Sequence, residues 1–311
     1  MPLYLTEEDV GRLLTMEACV LAVEDALRAW AERRAANHPR ARAIVRGGTL
    51  QALAAASEAL GRMAAKVYAT TRAGSRFIVL LFDGRTSDLL AVVEADRLGQ
   101  MRTGAASGVA TRCLARRDAR ILGIIGTGWQ ARGQARGVAA VRRLEAIRAY
   151  GRDRERLAAF CREVEQTCGV TTIAAASPQE AVTGADIVVT ATAAARPILQ
   201  APWIGAGTHI NAVGSNRADR QELESDVVRA AGLVVVDSVE QARLEAGDLI
   251  AIPGTLERAI ELSSVVAGRH PGRKDEGAIT LFKSLGIGLE DLAAASLVYD
   301  LAVAAGAGRP I

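Results

Sequence analysis

The sequence predicts an α/β fold in which a doubly wound parallel sheet is inserted in a β-rich α+β domain. From Arg40 to Glu94, short β-leaning pieces are separated by turn residues. From Ala119 onward, compact apolar strands alternate with amphipathic helical segments, which is typical of a parallel sheet covered on both faces. A long final helix could return to the first domain. We therefore expect one domain from residues 1–115 plus 290–311, and an inserted domain from residues 116–289.

The N-terminal third contains one helix followed by β structure. Met16 to Asn37 shows helical apolar spacing, with acids early and arginines late, so we predict a helix there. AGSR and DGRTSD have the composition of turns. The pieces around them predict a mixed or antiparallel sheet, and they read ARAIVR, TLQALAAAS, MAAKVYATT, RFIVLLFD and DLLAVVE.

Composition excludes several classes of protein. Of 311 residues, 50% are hydrophobic and 23% charged, as in a globular protein. No apolar run approaches the roughly 18–20 residues that cross a bilayer. The start, MPLYLTEEDV, has acids where a signal peptide is basic. We therefore expect a cytoplasmic protein with no membrane partner. Three histidines and four scattered cysteines predict no metal site. A net charge of +3, with arginines spread among acids and few aromatics, predicts no nucleic-acid binding.

Lysine is scarce in this chain. Of 38 basic residues, three are lysines: Lys66, Lys274 and Lys283. A lysine retained among so many arginines can serve where a proton must be exchanged or a compact charge must fit, although chance retention is an equal alternative for each. Lys274 lies in the polar run HPGRKDEG and is predicted to be in a solvated loop.

A glycine-rich turn follows the strand RILGII directly and opens a helix. Its sequence is Gly126-Thr127-Gly128-Trp129-Gln130-Ala131, and a second strand ends about twenty residues later, as in Rossmann folds. The first glycine allows a tight turn, the second lets the backbone approach a pyrophosphate, and Ala131 keeps the helix close to the strand. The helix N-terminus offers N–H groups to phosphates. This motif predicts a dinucleotide site.

The end of the second strand bears on cofactor choice. It reads Tyr150-Gly151-Arg152-Asp153. An acid there binds both ribose hydroxyls, whereas an arginine accommodates a 2′-phosphate. Arg152 directly after Gly151 favours NADP(H). Asp153 could instead turn towards the ribose, so NAD(H) is the alternative.

Six blocks along nearly the whole chain resemble the ornithine cyclodeaminase and μ-crystallin family. They are Arg102-Thr103-Gly104-Ala105-Ala106-Ser107, then GTGWQA, INAVGSNRADRQEL, VVVDS, EAGDL and TLFKSLGIGLED. The resemblance implies a Rossmann domain and a homodimer built through the N-terminal β-rich domain. Members include ornithine cyclodeaminases, alanine dehydrogenases and ketimine or cyclic-imine reductases. It therefore implies an NAD(P)-dependent oxidoreductase that moves hydride to or from the α-carbon of a small, carboxylate-bearing imino or amino acid.

The resemblance also implies roles for single residues. Arg42 stands where the family places a substrate-carboxylate arginine, and Arg40, on the same strand face, is the alternative. Lys66 matches the active-site lysine, in agreement with the scarcity of lysine. Arg102 is implied to lie near the substrate carboxylate or the cofactor, and for Lys283 packing and direct cofactor contact stay open. The remaining implied cofactor contacts, at strand ends or within the matching blocks, are Thr103, Thr192, Val213, Ser215 and Ser284.

One departure from the family pattern bears on the reaction. Ornithine cyclodeaminases carry an aspartate in the block after INAVG, where this chain has Asn216. Asparagine can orient an amine or imine but cannot take its proton. The segment therefore resembles the ketimine-reductase members, which have an acid where Asp219 stands. Asp219 is a candidate catalytic residue, with a solvent-facing loop acid as the alternative.

These residues predict a mechanism with two rivals. Arg42 and Arg102 would clamp the substrate carboxylate. Lys66, desolvated near arginines, should have a lowered pKa and would exchange the proton of the substrate nitrogen. The rivals are a cyclodeaminase-type lyase that releases ammonia with recycled NAD, and a non-catalytic protein that binds NADP(H) or a small ligand.

Overall fold

The computed structural model describes residues 1–311, which divide into two units. Unit 1 comprises Met1–Arg102 and Ile287–Ile311, and unit 2 comprises Thr103–Gly286. The sequence placed these limits at residues 115 and 289. The first limit lies instead within a helix, Asp96–Leu114, that sequence reasoning did not predict. This helix is buried almost throughout and rich in small residues, so it lacks the polar face that would reveal helical spacing.

The first part of unit 1 is a helical pair followed by a meander of strands. The predicted helix from Met16 to Asn37 is too long, because the chain turns at Arg33, where φ is 63°, and Ala35–Asn37 forms a strand. The other predicted strands are confirmed. The elements are β1 (Leu3–Leu5), α1 (Glu7–Leu13), α2 (Met16–Ala31), β2 (Ala35–Asn37), β3 (Ala41–Val45), β4 (Gly48–Ser57), β5 (Arg62–Thr71), β6 (Gly74–Asp83), β7 (Leu89–Glu94) and α3 (Asp96–Leu114).

Unit 2 contains eight parallel strands and short helices. Its strands are β8 (Ile121–Ile125), β9 (Ala146–Tyr150), β10 (Thr172–Ala174), β11 (Ile187–Thr190), β12 (His209–Ala212), β13 (Ala231–Val236), β14 (Ile260–Glu261) and β15 (Ile279–Lys283). Its helices are α4 (Trp129–Ala139), α5 (Arg154–Cys168), α6 (Pro178–Val182), α7 (Ser225–Ala230), α8 (Val239–Glu245), α9 (Gly247–Ile250), α10 (Thr255–Arg258) and α11 (Leu262–Val266), with a 3₁₀ turn at Ala201–Trp203.

The sheet of unit 2 is doubly wound, which confirms the predicted fold class. Its strand order is β10-β9-β8-β11-β12-β15-β13-β14, and every pair is parallel. Both faces are covered, since Ile187 and Val189 belong to one apolar cluster and Val188 to another. Strand order reverses between β8 and β11, so a ligand crevice is expected at their carboxyl ends. β15 was not predicted as a strand.

The chain returns to unit 1 through α12 (Gly288–Ala305) and β16 (Arg309–Pro310). The sheet of unit 1 has the order β16-β1-β7-β6-β5-β4-β2, with β3 paired to β4. The predicted final helix is α12. It is buried on most sides, and the backbone N–H of Leu289 donates to Asn37 Oδ1 at 3.1 Å. Two acids in its first turn, Glu290 and Asp291, are therefore brought into the interior of unit 1. No helix of the protein combines the length and apolarity that crossing a bilayer needs.

Candidate active-site residues

The glycine turn between β8 and α4 has the geometry of a phosphate-binding loop. Gly126 has φ +118°, and a Cβ added there would overlap the carbonyl oxygen of Ala191. Gly128 is the N-cap of α4, without a side-chain cap, and a Cβ there would meet nothing within 4 Å. The start of α4 thus has no capping side chain, and the space beside the Gly128 Cα is open. Ala131 is fully buried, as expected for close packing of helix and strand.

A cavity of about 940 Å³ lies at the carboxyl ends of the unit 2 strands. It brings together three segments separated in sequence, namely the glycine turn, the end of β9 and the end of β11. A nicotinamide dinucleotide fits this donor set, because the N-terminus of a helix suits phosphates and the end of β9 suits the adenosine ribose. Predicted residues that line the cavity are Gly126, Thr127, Gly128, Gly151, Arg152, Asp153 and Thr192.

A second cavity, of about 340 Å³, shares Gly128 and Thr192 with the first. It is lined by further residues that the sequence singled out, so the structure brings most of the predicted unit 2 residues to two adjoining cavities. These further residues are Trp129, Gln130, Val213, Ser215 and Asn216.

At the end of β9 the two candidate selectivity residues take different positions. Oδ1 of Asp153 accepts hydrogen bonds from the backbone N–H groups of Glu155 and Arg156, both at 3.1 Å, and so caps α5. The Arg152 side chain is exposed at the cavity. Arg156, which sequence reasoning missed, also lines the cavity from the first turn of α5. Two arginines and a helix-capping aspartate therefore stand at this end of the cavity.

The most connected carboxylate of unit 2 is Glu222, which sequence reasoning missed. It is fully buried and accepts hydrogen bonds from Thr190 Oγ1 (2.9 Å) and from the Gly214 backbone N–H (2.7 Å). Thr192 donates to it from both its backbone N–H and its Oγ1. Burial raises the pKa of this carboxyl, while Lys283 lowers it. Glu222 thus joins the loop after β11, which lines both cavities, to the loop after β12, which lines the smaller one.

Lys283 lies beneath these loops rather than in a cavity. It is fully buried at the end of β15, and its Nζ forms an ion pair with Asp248 Oδ2 at 2.9 Å. Oδ1 of Asp248 accepts from the backbone N–H groups of Glu222 (2.6 Å) and Leu223 (3.0 Å). This arrangement favours packing over cofactor contact for Lys283. The next residue, Ser284, is buried with an Oγ that has no hydrogen-bond partner, which fits a nearby ligand group.

In unit 1, Lys66 lies in a buried network of charges. It is 4% exposed, and its Nζ donates to Asp291 Oδ1 at 2.9 Å. The same oxygen accepts from Arg102 Nε at 3.0 Å, and Arg102 Nη1 donates to Glu290 Oε2 at 2.7 Å. Burial lowers the pKa of Lys66 to about 8, since the opposing effect of Asp291 is smaller and two arginines add to the decrease. This lowered pKa agrees with the expectation, and the ammonium can exchange a proton near neutral pH.

Arg40 and Arg42 lie on the same side of the unit 1 sheet as Lys66. Arg42 is opposite Gln51, which is opposite Tyr68, and paired residues of antiparallel strands share a face. Arg40 is buried and close enough for its charge to lower the pKa of Lys66, whereas Arg42 is half-buried. The structure therefore places both candidate arginines on the lysine's face, with Arg40 as the deeper one.

Of the three remaining predicted residues, Asp219 and Thr103 lie outside the cavities and outside the Lys66 network. The Asp219 carboxylate is exposed and forms two hydrogen bonds with Arg217, at 2.8 and 2.7 Å, which lower its pKa. Arg102 is committed to Glu290 and Asp291, as described above. The Thr103 carbonyl accepts from the buried Gln134 Nε2 at 3.1 Å, which joins α3 to α4. The structure thus has Asp219 in a surface ion pair. No group of three His, Cys, Asp or Glu side chains is arranged to hold a metal ion.

Comparison with known proteins gives the family. A family model described as the ornithine cyclodeaminase/mu-crystallin family matches residues 2–306. The chain is 42% identical over 240 residues to a Delta(1)-pyrroline-2-carboxylate reductase from Bacillus cereus, covering 75% of this chain and 73% of that protein.

Two solved structures are similar over the whole chain. Thermococcus litoralis Delta(1)-pyrroline-2-carboxylate reductase in complex with NADH and L-proline has a TM-score of 0.95 at 35% identity, covering 99% of this chain and 100% of that one. An archaeal alanine dehydrogenase dimer with bound NAD has a TM-score of 0.94 at 30% identity, covering 100% and 98%. The protein described here belongs to the ornithine cyclodeaminase/mu-crystallin family.

Proposed function

We propose that this NAD(P)-dependent oxidoreductase reduces the C=N bond of a small cyclic imino acid, of the Δ1-pyrroline-2-carboxylate type, to the amino acid. The observation that carries the proposal is Lys66: a buried lysine, held by a carboxylate, whose pKa is about 8. Such a group can donate a proton to an imine nitrogen near neutral pH. The 42% sequence identity to a Delta(1)-pyrroline-2-carboxylate reductase supports this substrate class. So does the structural similarity to a reductase solved in complex with L-proline.

Unit 2 would hold the nicotinamide dinucleotide, which supplies the hydride when bound. The backbone N–H groups at the start of α4 would bind its phosphates, and Gly128 leaves them accessible. Thr192, Val213, Ser215 and Ser284 would line the remainder of its site. Glu222 fixes the loop that contains Thr192, so this part of the site is organised before any ligand binds.

Unit 1 would hold the substrate carboxylate. Arg40 and Arg42 are the arginines we propose for it, because both share the sheet face of Lys66. A guanidinium can bind a carboxylate through two parallel hydrogen bonds, which fixes the orientation of the α-carbon. Arg102 already pairs with two carboxylates, so we assign it to the support of Lys66. Asn216 would orient the substrate nitrogen, and Asp219, ion-paired in solvent, has no role in this proposal.

We propose that NADP(H) is preferred over NAD(H). Arg152 and Arg156 line the cavity at the end of β9, where an arginine favours a 2′-phosphate. One oxygen of Asp153, the residue that would favour NAD(H), is occupied in capping α5. The similar solved structures contain NADH or NAD, so this preference would be a property of this chain's own residues.

We further propose a homodimer that assembles through unit 1 in the cytoplasm. The sheet face opposite Lys66 is apolar and open, with Leu50 51% exposed and Met63 and Ile78 each 38% exposed. A groove of about 600 Å³ on this unit is lined mainly by alanines and other apolar side chains. Faces of this kind mark association surfaces. Light scattering of Ile78→Glu should give a monomer where the unchanged chain gives a dimer.

The decisive experiment follows NADPH oxidation at 340 nm with preformed cyclic imines and with keto acids plus amines. We expect reduction of cyclic imino acids, and turnover should be lost in Lys66→Ala but kept in Lys274→Ala, the exposed-lysine control. Retained turnover in Lys66→Ala would overturn the assignment. Ammonia release without net change in nicotinamide absorbance would indicate the lyase instead. Binding of NADPH without turnover of any compound would indicate the non-catalytic protein.

A further inference from the structure

The first turn of α12 brings Asp291 to Lys66 across 225 residues of sequence. We infer that Asp291 is a positioning residue that keeps the Lys66 ammonium protonated and fixed for proton transfer, and that Gly99 provides the space this pairing needs. The inference rests on the proposed role of Lys66 as proton donor. It goes beyond that role by naming the residues that control the proton donor.

Charged groups from three other segments, together with two aromatic rings, surround the Lys66 ammonium. Asp291 contributes the anion in contact, Arg102 of α3 and Arg40 before β3 contribute cations, and Glu290 pairs with Arg102. The aromatic rings of Tyr68 and Phe77 lie 5.9 and 5.3 Å from Nζ. The Cys19 thiol of α2, whose pKa is raised to about 12 by burial, stays neutral beside Glu290 and Asp291.

This arrangement makes the charge state of Lys66 depend on one carboxylate. Burial and two nearby guanidinium groups both favour the neutral amine. Asp291 favours the ammonium, and the same Oδ1 holds both Lys66 and Arg102. Without this carboxylate, Lys66 would be a buried amine beside two cations. Its pKa would then fall well below 8, and the proton donor would be absent at neutral pH.

Gly99 controls the position of the same ammonium. A Cβ added to Gly99 would lie 2.9 Å from Lys66 Nζ, closer than atoms of this kind approach in folded proteins. Because the obstructed atom is the end of a flexible side chain, Gly99→Ala should move Nζ away from Asp291 while every charge stays in place. This variant separates the position of the lysine from the loss of a carboxylate.

The test compares Asp291→Asn with Asp300→Asn, which removes an exposed carboxylate on the same helix. Imine reduction needs the ammonium, so activity is lost as pH rises through the pKa of Lys66. In Asp291→Asn we expect the midpoint of this loss in kcat/KM to move to lower pH by about one to three pH units. Asp300→Asn should follow the unchanged enzyme. The reverse reaction, amino-acid oxidation, needs the neutral amine, so its rate increases as pH rises through the pKa of Lys66. The midpoint of this increase should also move to lower pH in Asp291→Asn.

A second measurement needs no turnover. With three lysines in the chain, carbon-13 labelling of lysine Cε gives three NMR signals, and Lys66→Met identifies the one from Lys66. The Lys66 signal should titrate at lower pH in Asp291→Asn and in Gly99→Ala than in the unchanged protein. If Asp291→Asn does not fold, as judged by thermal unfolding, Gly99→Ala alone decides.

The outcomes separate the two proposals. If the variants reduce imines but the titration midpoint of Lys66 and the pH dependence of kcat/KM are the same as in the unchanged protein, the positioning role is overturned. A shifted Lys66 titration in a protein that reduces no imine would support the positioning role and overturn the proposed function.

Discussion

Glu222 and Thr192 form a double hydrogen bond: Oε1 of the buried carboxylate accepts from the Thr192 backbone N–H at 2.8 Å and from its Oγ1 at 2.7 Å. The other oxygen accepts from Thr190 Oγ1 and from the Gly214 backbone N–H. One acidic side chain thus fixes the ends of β11 and β12, from which both cavity-lining loops begin. The shape of the proposed dinucleotide site therefore depends on a residue that does not line either cavity.

Replacing Glu222 with glutamine should weaken dinucleotide binding. An amide offers one acceptor oxygen and one donor group, so its NH₂ would face donors that the carboxylate oxygen now accepts from. We expect the Kd for NADPH to rise about tenfold or more, equivalent to about 1.4 kcal/mol. Fluorescence of Trp129, which lines the smaller cavity, reports binding. Asp226→Asn, an exposed acid on α7, is the control, and an equal Kd in the two variants would contradict the prediction.

The two glycines of the turn should respond differently to alanine. Gly126 has φ +118° and a backbone carbonyl in the way of a Cβ, so Gly126→Ala should lower the free energy of unfolding by about 1–3 kcal/mol. Gly128→Ala meets no protein atom and should fold with nearly unchanged stability, but its methyl would occupy the space we assign to a phosphate. Thermal unfolding and NADPH titration distinguish the two. Unchanged NADPH affinity in Gly128→Ala would count against the phosphate assignment.

Cofactor preference should depend on Arg152. If the 2′-phosphate binds there, Arg152→Ala should raise the KM for NADPH and leave that for NADH almost unchanged, and Arg156→Ala should have a smaller effect of the same kind. Arg154→Ala, an exposed arginine between them that does not line the cavity, is the control. An equal change in the KM values for NADPH and NADH in Arg152→Ala would show that Arg152 does not bind the 2′-phosphate.

The sequence predicted the parts of the site that are local in the chain. The glycine turn of residues 126–131 combines a strand, a tight turn and a helix start within one segment, so its spacing alone identifies it. Lys66 was proposed from the resemblance to the family, and the scarcity of lysine in the chain agrees with that proposal. Its partner Asp291 was not, since no local pattern connects residues 225 positions apart.

Other elements escaped prediction for similar reasons. Glu222 and Asp248 are ordinary acids in sequence, and only the tertiary structure shows that both are buried among hydrogen-bond donors. The helix α3 lacks a polar face, so it shows no periodicity. The strand β15 ends in a lysine, so its sequence does not have the apolar pattern of a buried strand, although it pairs with a strand on each side. Buried charge is where pattern-based reasoning was least informative.

Lys283 should contribute to stability rather than to chemistry. Its ion pair with Asp248 is fully buried, and removing one partner of such a pair leaves an uncompensated charge in the interior. We expect Lys283→Met to lower the free energy of unfolding by about 3–5 kcal/mol. Lys274→Met, at an exposed position, should have no measurable effect. Urea unfolding of both variants checks this, and unfolding midpoints that agree would exclude a structural role for the pair.

His209 should make the protein sensitive to acid. It is fully buried at the start of β12, where Nδ1 lies 2.9 Å from Thr280 Oγ1 and Nε2 lies 3.3 Å from Asn211 Oδ1. Burial lowers its pKa to about 3, with a further contribution from the charge of Arg273. The unfolded chain binds a proton at this site below pH of about 6.5, whereas the folded chain does not do so until pH is near 3.

The free energy of unfolding should therefore fall as pH decreases from about 6.5 towards 3. His209 contributes up to about 1.4 kcal/mol per pH unit to this fall. Because carboxylates titrate in the same range, the comparison between variants carries the information. His209→Gln removes the titrating group, so its stability should depend less steeply on pH, whatever its absolute value. His38→Gln, which removes an exposed imidazole, should keep the original slope. Urea unfolding between about pH 4 and 7 measures how stability depends on pH in each protein. Equal slopes in His209→Gln and in the unchanged protein would mean that His209 is protonated in the folded protein.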